Sequence, residues 1–144
     1  MRRYLLDTAP LASLLLARPA AVGLIRPWLN RHEVATSILA YTEVVEYIKD
    51  FADAKRRYPQ LRTLLGEVYP YFLTYPILEQ YTDIRRSLRK PHGKGLIGDI
   101  DTLIAATALE RNLTGVTIDT DFQRVPTLKV ILLSAATLKV LSTP

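Results

Sequence analysis

The residues best suited to chemistry in this sequence are carboxylates that follow short apolar runs or precede an apolar helix. Five of them occupy such positions: Asp7, Asp99, Asp101, Asp119 and Asp121. Glu43, in the first turns of a helix predicted after a second apolar run, can join them. Carboxylates brought close together repel one another, so that without a cation at least one has a raised pKa and keeps its proton. A bound divalent cation removes this conflict. Each of these acids taken alone is also typical of a helix cap or a turn.

The available ligand types predict a hard divalent cation. The sequence has no cysteine, which excludes disulfides, thiolate zinc sites and cysteine nucleophiles, and its only histidines are His32 and His92. Carboxylate oxygens without nitrogen or sulfur partners favour Mg²⁺ or Mn²⁺. Magnesium held by a few carboxylates together with substrate phosphate is an arrangement used for phosphoryl transfer.

The overall charge predicts a phosphate-rich partner. The chain carries 19 basic and 14 acidic residues, a net charge of +5. If the six candidate carboxylates are set aside, eight acidic residues remain against 19 basic ones. A basic surface around an acidic centre suits a metal-dependent nuclease, since cations hold the phosphates of the substrate. The densest basic run contains no acid and includes Arg85, Arg86, Arg89, Lys90 and Lys94. Arg89, Lys90 and Lys94 are candidate substrate contacts, although such a run can also be a solvated face.

The alternation of apolar runs with helical periodicity predicts how these residues are positioned. Strands are predicted at 4–6, 34–37, 72–75, 115–118 and 128–132. Helices are predicted at 10–16, 22–29, 41–51 with Ile38 leading into it, 54–65, 77–88, 102–110 and 135–141. This order favours an α/β fold, a three-layer α/β/α sandwich with a mostly parallel sheet of about five strands. Working sites of open parallel sheets lie at the carboxyl ends of the strands.

The size and composition favour one cytoplasmic globular domain. The chain has 144 residues, of which 49% are hydrophobic and 23% charged. The N-terminal arginines followed by an apolar stretch resemble a secretion signal, but Asp7 interrupts that stretch. No apolar run approaches the roughly 18 residues that a membrane span needs. We therefore expect a cytoplasmic protein with no membrane association.

The segment from Ile97 to Leu109 resembles the signature segment of PIN-domain ribonucleases, particularly the VapC-like toxins of prokaryotic toxin–antitoxin pairs. Three shorter segments, at 6–8, 37–44 and 116–128, resemble the other motifs of that family in the same order. The resemblance covers essentially the whole chain, which is expected to be a single PIN-like domain over residues 1–144. It implies an Mg²⁺- or Mn²⁺-dependent endoribonuclease, a homodimer, and a cognate antitoxin that inserts a segment into the acidic groove.

The resemblance also implies roles for individual residues. By position, Asp7, Glu43 and Asp101 match the three most constant acids of the family. The fourth acid falls on Asp119 or Asp121; the spacing before Phe122 favours Asp121, and both are candidate metal ligands. Asp99 matches a position that is acidic in only some members. Thr8 is a candidate for orienting Asp7 or a water molecule at the site.

Three other functions share some of these sequence features. A PIN nuclease working in RNA processing would carry the same acids, and gene context would separate the two. A non-catalytic RNA-binding scaffold on a PIN fold is disfavoured because acids are retained at all four motif positions. A phosphotransferase of the haloacid-dehalogenase type needs a second aspartate two residues after the first, where this chain has Ala9.

Overall fold

A single parallel sheet forms the centre of the protein. The structure, a computed structural model, describes residues 1–138. Its strands are β1 (Tyr4–Leu6), β2 (Val34–Ser37), β3 (Tyr69–Tyr71), β4 (Thr114–Thr117) and β5 (Val130–Leu132). They lie in the order β3-β2-β1-β4-β5, and every neighbouring pair is parallel. Leu5 of β1 lies opposite Ala35 on one side and Gly115 on the other. The predicted α/β class and five-stranded parallel sheet are confirmed.

Helices cover both faces of this sheet. They are α1 (Thr8–Leu15), α2 (Pro19–Asn30), α3 (Ile38–Ile48), α4 (Ala54–Leu64), α5 (Tyr75–Leu88), α6 (Asp99–Glu110) and α7 (Ala135–Leu138), with a 3-10 helix at Thr120–Arg124. Right-handed crossovers from β1 to β2 to β3 place α1 to α4 on one face, and the return crossover to β4 places α5 and α6 on the other. Accordingly, α1 packs against α2, α3 and α4, and α5 packs mainly against α6. Residues 139–141 of the predicted last helix lie outside the described residues.

The central strands are fixed by apolar side chains on both faces. Leu5 and Leu6 of β1 are buried, as are Leu11 of α1, Val44 of α3 and Ile104 of α6. Continuous apolar runs are typical of strands that are covered on both sides. Burying one such side chain stabilises the fold by about 1.5–3 kcal/mol. This packing fixes the carboxyl end of β1, where Asp7 begins the next segment.

The third strand lies earlier than the sequence predicts, and the prediction of 72–75 is wrong. The strand is Tyr69–Tyr71, and α5 already begins at Tyr75. Pro76 lies in the first turn of α5, where the fixed φ of proline favours a helix start. Pro70 is tolerated inside the strand because β3 is at the edge of the sheet.

Several helices begin two or three residues earlier than predicted, and in α1 and α6 the shift concerns candidate site residues. Helix α1 begins at Thr8 instead of residue 10, so that Asp7 is the residue just before it. Helix α6 begins at Asp99 instead of residue 102, so that Asp99 and Asp101 both lie in its first turn. The carboxylates of α6 are therefore carried by a helix end and not by a loop.

Within residues 1–138, no single helix is long and apolar enough to cross a membrane. Only α1 and α2 taken together meet the requirement of length and composition, and they are bent by 99° at the break between them. In this fold their residues Leu11 and Ile25 are buried in the core.

Candidate metal centre

Three acids from distant parts of the sequence meet at the carboxyl edge of the sheet. Asp7 directly follows β1, Glu43 lies in the helix that follows β2, and Asp101 lies in the first turn of α6. One carboxylate oxygen from each of them lies within 4.8 Å of the others. Asp119, two residues after β4, lines the same cavity. The strand ends thus bring four of the six candidate carboxylates together.

Asp7 is the most buried member of this cluster. Asp7 is only 7% exposed, and its Oδ2 accepts a hydrogen bond of 2.7 Å from the hydroxyl of Thr117. Its other oxygen, Oδ1, is buried and has no hydrogen-bond partner. Although Asp7 precedes α1, its side chain makes no capping hydrogen bond, so a helix cap does not account for it. A buried carboxylate oxygen without a donor is costly, and a cation would satisfy it. The donor set therefore fits a hard divalent ion.

Thr8 orients Glu43. Its Oγ1 donates a hydrogen bond of 2.6 Å to Oε1 of Glu43. The family resemblance implies that Thr8 orients Asp7 or a water molecule, and in the structure its hydroxyl bonds to Glu43 instead of Asp7. Together, Thr8 and Thr117 fix one oxygen each of Glu43 and Asp7, which holds the two acids in place before any ligand binds.

The crowding of these acids changes their protonation. Burial, followed by the charges of Asp7 and Asp119, raises the pKa of Asp101 to about 7. Burial also raises the pKa of Asp7, against the opposing hydrogen bonds from Thr117 and the backbone of Thr8. The nearby charges of Glu43 and Asp119 raise it further. Without a cation the cluster therefore retains protons at pH values where isolated carboxylates are ionised.

The geometry separates Asp119 from Asp121. Asp119 lines the cavity beside the three acids, and its Oδ1 also accepts a hydrogen bond of 2.8 Å from the backbone of Asp121. The side chain of Asp121 is 43% exposed, lies 3.6 Å from Arg124 in an ion pair, and does not line the cavity. The structure thus brings Asp119, and not Asp121, to the other acids. Asp119 combines the capping role typical of an aspartate in a turn with a position at the site.

Asp99 does not join the cluster. Its Oδ1 accepts hydrogen bonds from Arg85 at 2.9 Å and from the hydroxyl of Tyr81 at 3.0 Å. Both donors belong to α5. Asp99 therefore links the two helices of the α5–α6 face, while Asp101, two residues later, reaches the cavity.

The cavity itself extends well beyond the carboxylates. It has a volume of about 580 Å³. Besides the acids it is lined by Thr8, Ala9, Ala12, Tyr47, Ile118 and Thr120. Neither Tyr47 nor Thr117 is among the site residues that the sequence predicts. Their spacing from the acids could have indicated them, because Tyr47 lies one helical turn after Glu43 and Thr117 lies two residues before Asp119.

The basic residues predicted to contact substrate fall into separate groups. Arg89 and Lys90 line a small cavity of about 160 Å³ together with Arg86, Pro91 and His92. Lys94 is exposed in the loop that leads to α6. Arg124 donates to the carbonyl of Gly95 and so attaches this loop to the 3-10 helix after β4. The loop that carries these cations therefore contacts the segment that follows Asp119.

Comparisons with solved structures reveal the same fold in several complexes. The structure of VapBC2 from Rickettsia felis, bound to a DNA fragment from their promoter, gives a TM-score of 0.77 at 21% identity, with 90% of this chain and 97% of that chain covered. DNA-bound VapBC from Salmonella typhimurium gives a TM-score of 0.78 at 20% identity, with 91% of this chain and 98% of that chain covered. VapBC-1 from nontypeable Haemophilus influenzae gives a TM-score of 0.74 at 22% identity, with 90% of this chain and 96% of that chain covered. No curated protein matches the sequence.

The family is shown by sequence as well. A model of the PIN domain family matches residues 4–128. That range includes four of the five strands and all of the acids that meet in the cavity. With the strand order, the acidic edge of the sheet and the family model in agreement, the chain belongs to the PIN domain family.

Proposed function

We propose that this protein is a metal-dependent endoribonuclease and the toxin of a toxin–antitoxin pair. The observation that carries the nuclease assignment is the convergence of Asp7, Glu43 and Asp101 within 4.8 Å, with a buried oxygen of Asp7 left without a donor. Membership of the PIN family supports the same class of reaction. The toxin role is supported by the similarity of the fold to the VapBC structures, and it predicts an antitoxin partner and a homodimer.

The residues that would hold Mg²⁺ or Mn²⁺ are Asp7, Glu43 and Asp101, with Asp119 beside them. Such an ion, when bound, neutralises charge on the phosphate and lowers the pKa of water. The protein supplies an all-oxygen donor set, which selects a hard cation. Asp101, whose pKa is about 7, must release its proton before it can act as a ligand.

The reaction proposed is hydrolysis of one phosphodiester bond of RNA. Water attacks phosphorus in line with the 3′ oxygen, the bond from phosphorus to that oxygen breaks, and the 3′ oxygen takes up a proton. The products carry a 5′-phosphate and a 3′-hydroxyl. Thr117 and Thr8 keep Asp7 and Glu43 oriented through this step, so that little reorganisation is needed when charge develops on the phosphate.

The proposal is tested by incubating the purified protein with end-labelled single-stranded RNA in Mg²⁺, in Mn²⁺ and in EDTA. We expect cleavage only with metal, and fragments with 3′-hydroxyl ends. Cleavage in EDTA, or products with cyclic 2′,3′-phosphates, would contradict the proposed chemistry. Growth arrest on expression of the active protein, but not of a carboxylate variant, tests the toxin role separately.

Replacing Asp119 by Asn is expected to lower the cleavage rate at least about tenfold more than replacing Asp121 by Asn. Asp119 lies beside the other acids, whereas Asp121 pairs with Arg124 outside the cavity. The Asn side chain at position 119 keeps an oxygen that can accept from the backbone of residue 121, so the local cap is preserved. Single-turnover rates of the two variants decide between the positions. A larger loss in Asp121→Asn would restore the assignment that the sequence spacing favours.

A triple replacement of Arg89, Lys90 and Lys94 by Gln is expected to weaken RNA binding and reduce its salt dependence. Each phosphate contact to a single strand contributes about −0.7 to the slope of log K against log salt, so three lost contacts would flatten it by roughly 2. The single-turnover rate at saturating RNA should change little, because these side chains do not line the cavity of the acids.

The matched control for this experiment is Lys129→Gln. Lys129 is exposed and immediately precedes β5, so it lies at the edge of the sheet opposite the acids. Binding and salt slope should be unchanged in this variant. An unchanged slope in the triple variant would show that residues 89–94 form a solvated face, and the basic face of α4, with Lys55 and Arg62, would then be the next candidate.

A further inference from the structure

We propose that the apolar part of the cavity binds one nucleobase of the RNA, adjacent to the cleaved phosphate, with the ring of Tyr47 as its stacking surface. This inference rests on the proposed ribonuclease function. It adds a specific element of recognition: the substrate must present an unstacked base, and therefore a single-stranded segment, at the cleavage site.

The position of this surface follows from helix geometry. Tyr47 lies four residues after Glu43 on α3, and Ala12 lies four residues after Thr8 on α1, so each pair shares one helix face. Helices α1 and α3 pack against each other. Tyr47 and Ala12 therefore continue the wall of the cavity by one helical turn from the point where Thr8 bonds to Glu43.

The chemistry of this wall differs sharply from that of the acidic end. Ala9, Ala12 and Ile118 offer no polar side-chain group, and Tyr47 presents a ring. The small side chains at positions 9 and 12 leave the space open. The volume of about 580 Å³ lies within the range of about 300–1,000 Å³ that is typical of small-molecule sites. A flat group with apolar faces suits this wall, and in RNA that group is the base.

The ring of Tyr47 is held in place before any ligand binds. It is partly buried against the core and packs edge-on against Phe51, with a centroid distance of 5.0 Å and an interplanar angle of 74°. A ring already fixed by packing loses little freedom on binding. Aromatic side chains of this kind are a common means of binding unstacked bases of single-stranded RNA.

Continuity with the acids favours a nucleotide as the occupant over a side chain of another protein. Asp7, Glu43 and Asp101 line the same cavity as Tyr47, so a base stacked there belongs to a nucleotide whose phosphate lies near the acids. The cations at 86–94 lie in and before the loop that leads into α6, which carries Asp101. The loop that carries Lys94 is thus continuous in the chain with the helix that carries Asp101.

The inference is tested by binding, with cleavage suppressed by the Asp101→Asn substitution. A set of single-stranded oligoribonucleotides, each with one abasic residue at a different position, is titrated and followed by fluorescence anisotropy. We expect one position, next to the cleavage site, at which loss of the base weakens binding about tenfold or more. Adding Tyr47→Leu should abolish this difference between abasic and intact RNA, and Tyr47→Phe should retain it.

A second variant tests the same cavity from another helix. Ala9→Leu fills the space from α1 at a partly exposed position. It should weaken the binding of intact RNA to the level seen with the abasic RNA. It also carries the test if Tyr47→Leu fails to fold. The inference would be overturned if both variants still bound abasic RNA more weakly than intact RNA, or if they bound all RNAs equally more weakly. The apolar wall would then be a candidate contact for a side chain of another protein.

The outcomes for this inference and for the proposed function can be separated. If the wild-type protein cleaves no RNA with Mg²⁺ or Mn²⁺ and the Asp101→Asn protein binds none, the ribonuclease proposal itself fails. If cleavage and binding are present and no single position depends on Tyr47, only the base-binding inference is wrong.

Discussion

RNA cleavage is expected to fall at least about a hundredfold in Asp7→Asn and in Asp101→Asn. Each substitution removes one negative charge from the cluster while leaving the side-chain volume nearly unchanged. Losses of this size are typical when one group that stabilises transition-state charge is removed. The measurement is the single-turnover rate at saturating metal. Asp83→Asn, the same chemical change at an exposed position of α5, is the matched control and should remain within about twofold of wild type.

The thermal stability of Asp101→Asn separates a site residue from a structural one. Because the folded-state pKa of Asp101 is raised to about 7, above its ordinary value of 3.8, the folded protein binds this proton more tightly than the unfolded chain. The contribution of Asp101 to stability is therefore lost as the pH rises through that window. At pH 8, without metal, Asp101→Asn should melt above wild type. A variant with near-normal turnover, or one that is inactive because it is unfolded, would contradict the assignment.

The second large effect expected is stabilisation of the fold by Mg²⁺ or Mn²⁺. A ligand that binds only the native state stabilises it by about 2.7 kcal/mol at a hundredfold excess over its dissociation constant. For a chain of this size, that corresponds to roughly 5–11 °C in the thermal midpoint. The measurement is thermal melting of EDTA-treated protein as metal is added back. An unchanged midpoint in millimolar metal would argue against a preformed site.

Two comparisons assign this stabilisation to the acids. The Asp7→Asn, Asp101→Asn double variant should show no shift, since it lacks two of the three converging carboxylates. In the wild type the shift should be larger at pH 8 than at pH 6. Asp101 must give up its proton to bind a cation, and protons compete with the metal below its pKa of about 7. A shift that is larger at pH 6 would indicate binding elsewhere.

Much of the fold could be predicted because its central strands are buried on both faces. Continuous apolar runs, as at Tyr4–Leu6, leave few alternatives to a covered strand, and the intervening helical periodicity requires parallel crossovers. The edge strand is predicted three residues too late because a strand at the edge of a sheet needs no continuous apolar run. At Tyr69–Tyr71 the partly exposed tyrosines and Pro70 give a weak strand pattern. The segment 72–75 is more apolar, but its last residue already begins α5, which has Pro76 in its first turn.

For the site, the sequence by itself determined which carboxylates were available, their order along the chain and the kind of cation they favour. Only the tertiary structure decided that Asp119 meets the cavity while Asp121 pairs with Arg124, and that Asp99 bonds to α5. The partners of the acids were equally hidden, since Thr117 and Asp7 lie 110 positions apart in the chain. Local patterns encode periodicity, caps and burial, whereas the distance between remote side chains depends on strand order and on how the helices pack over the sheet.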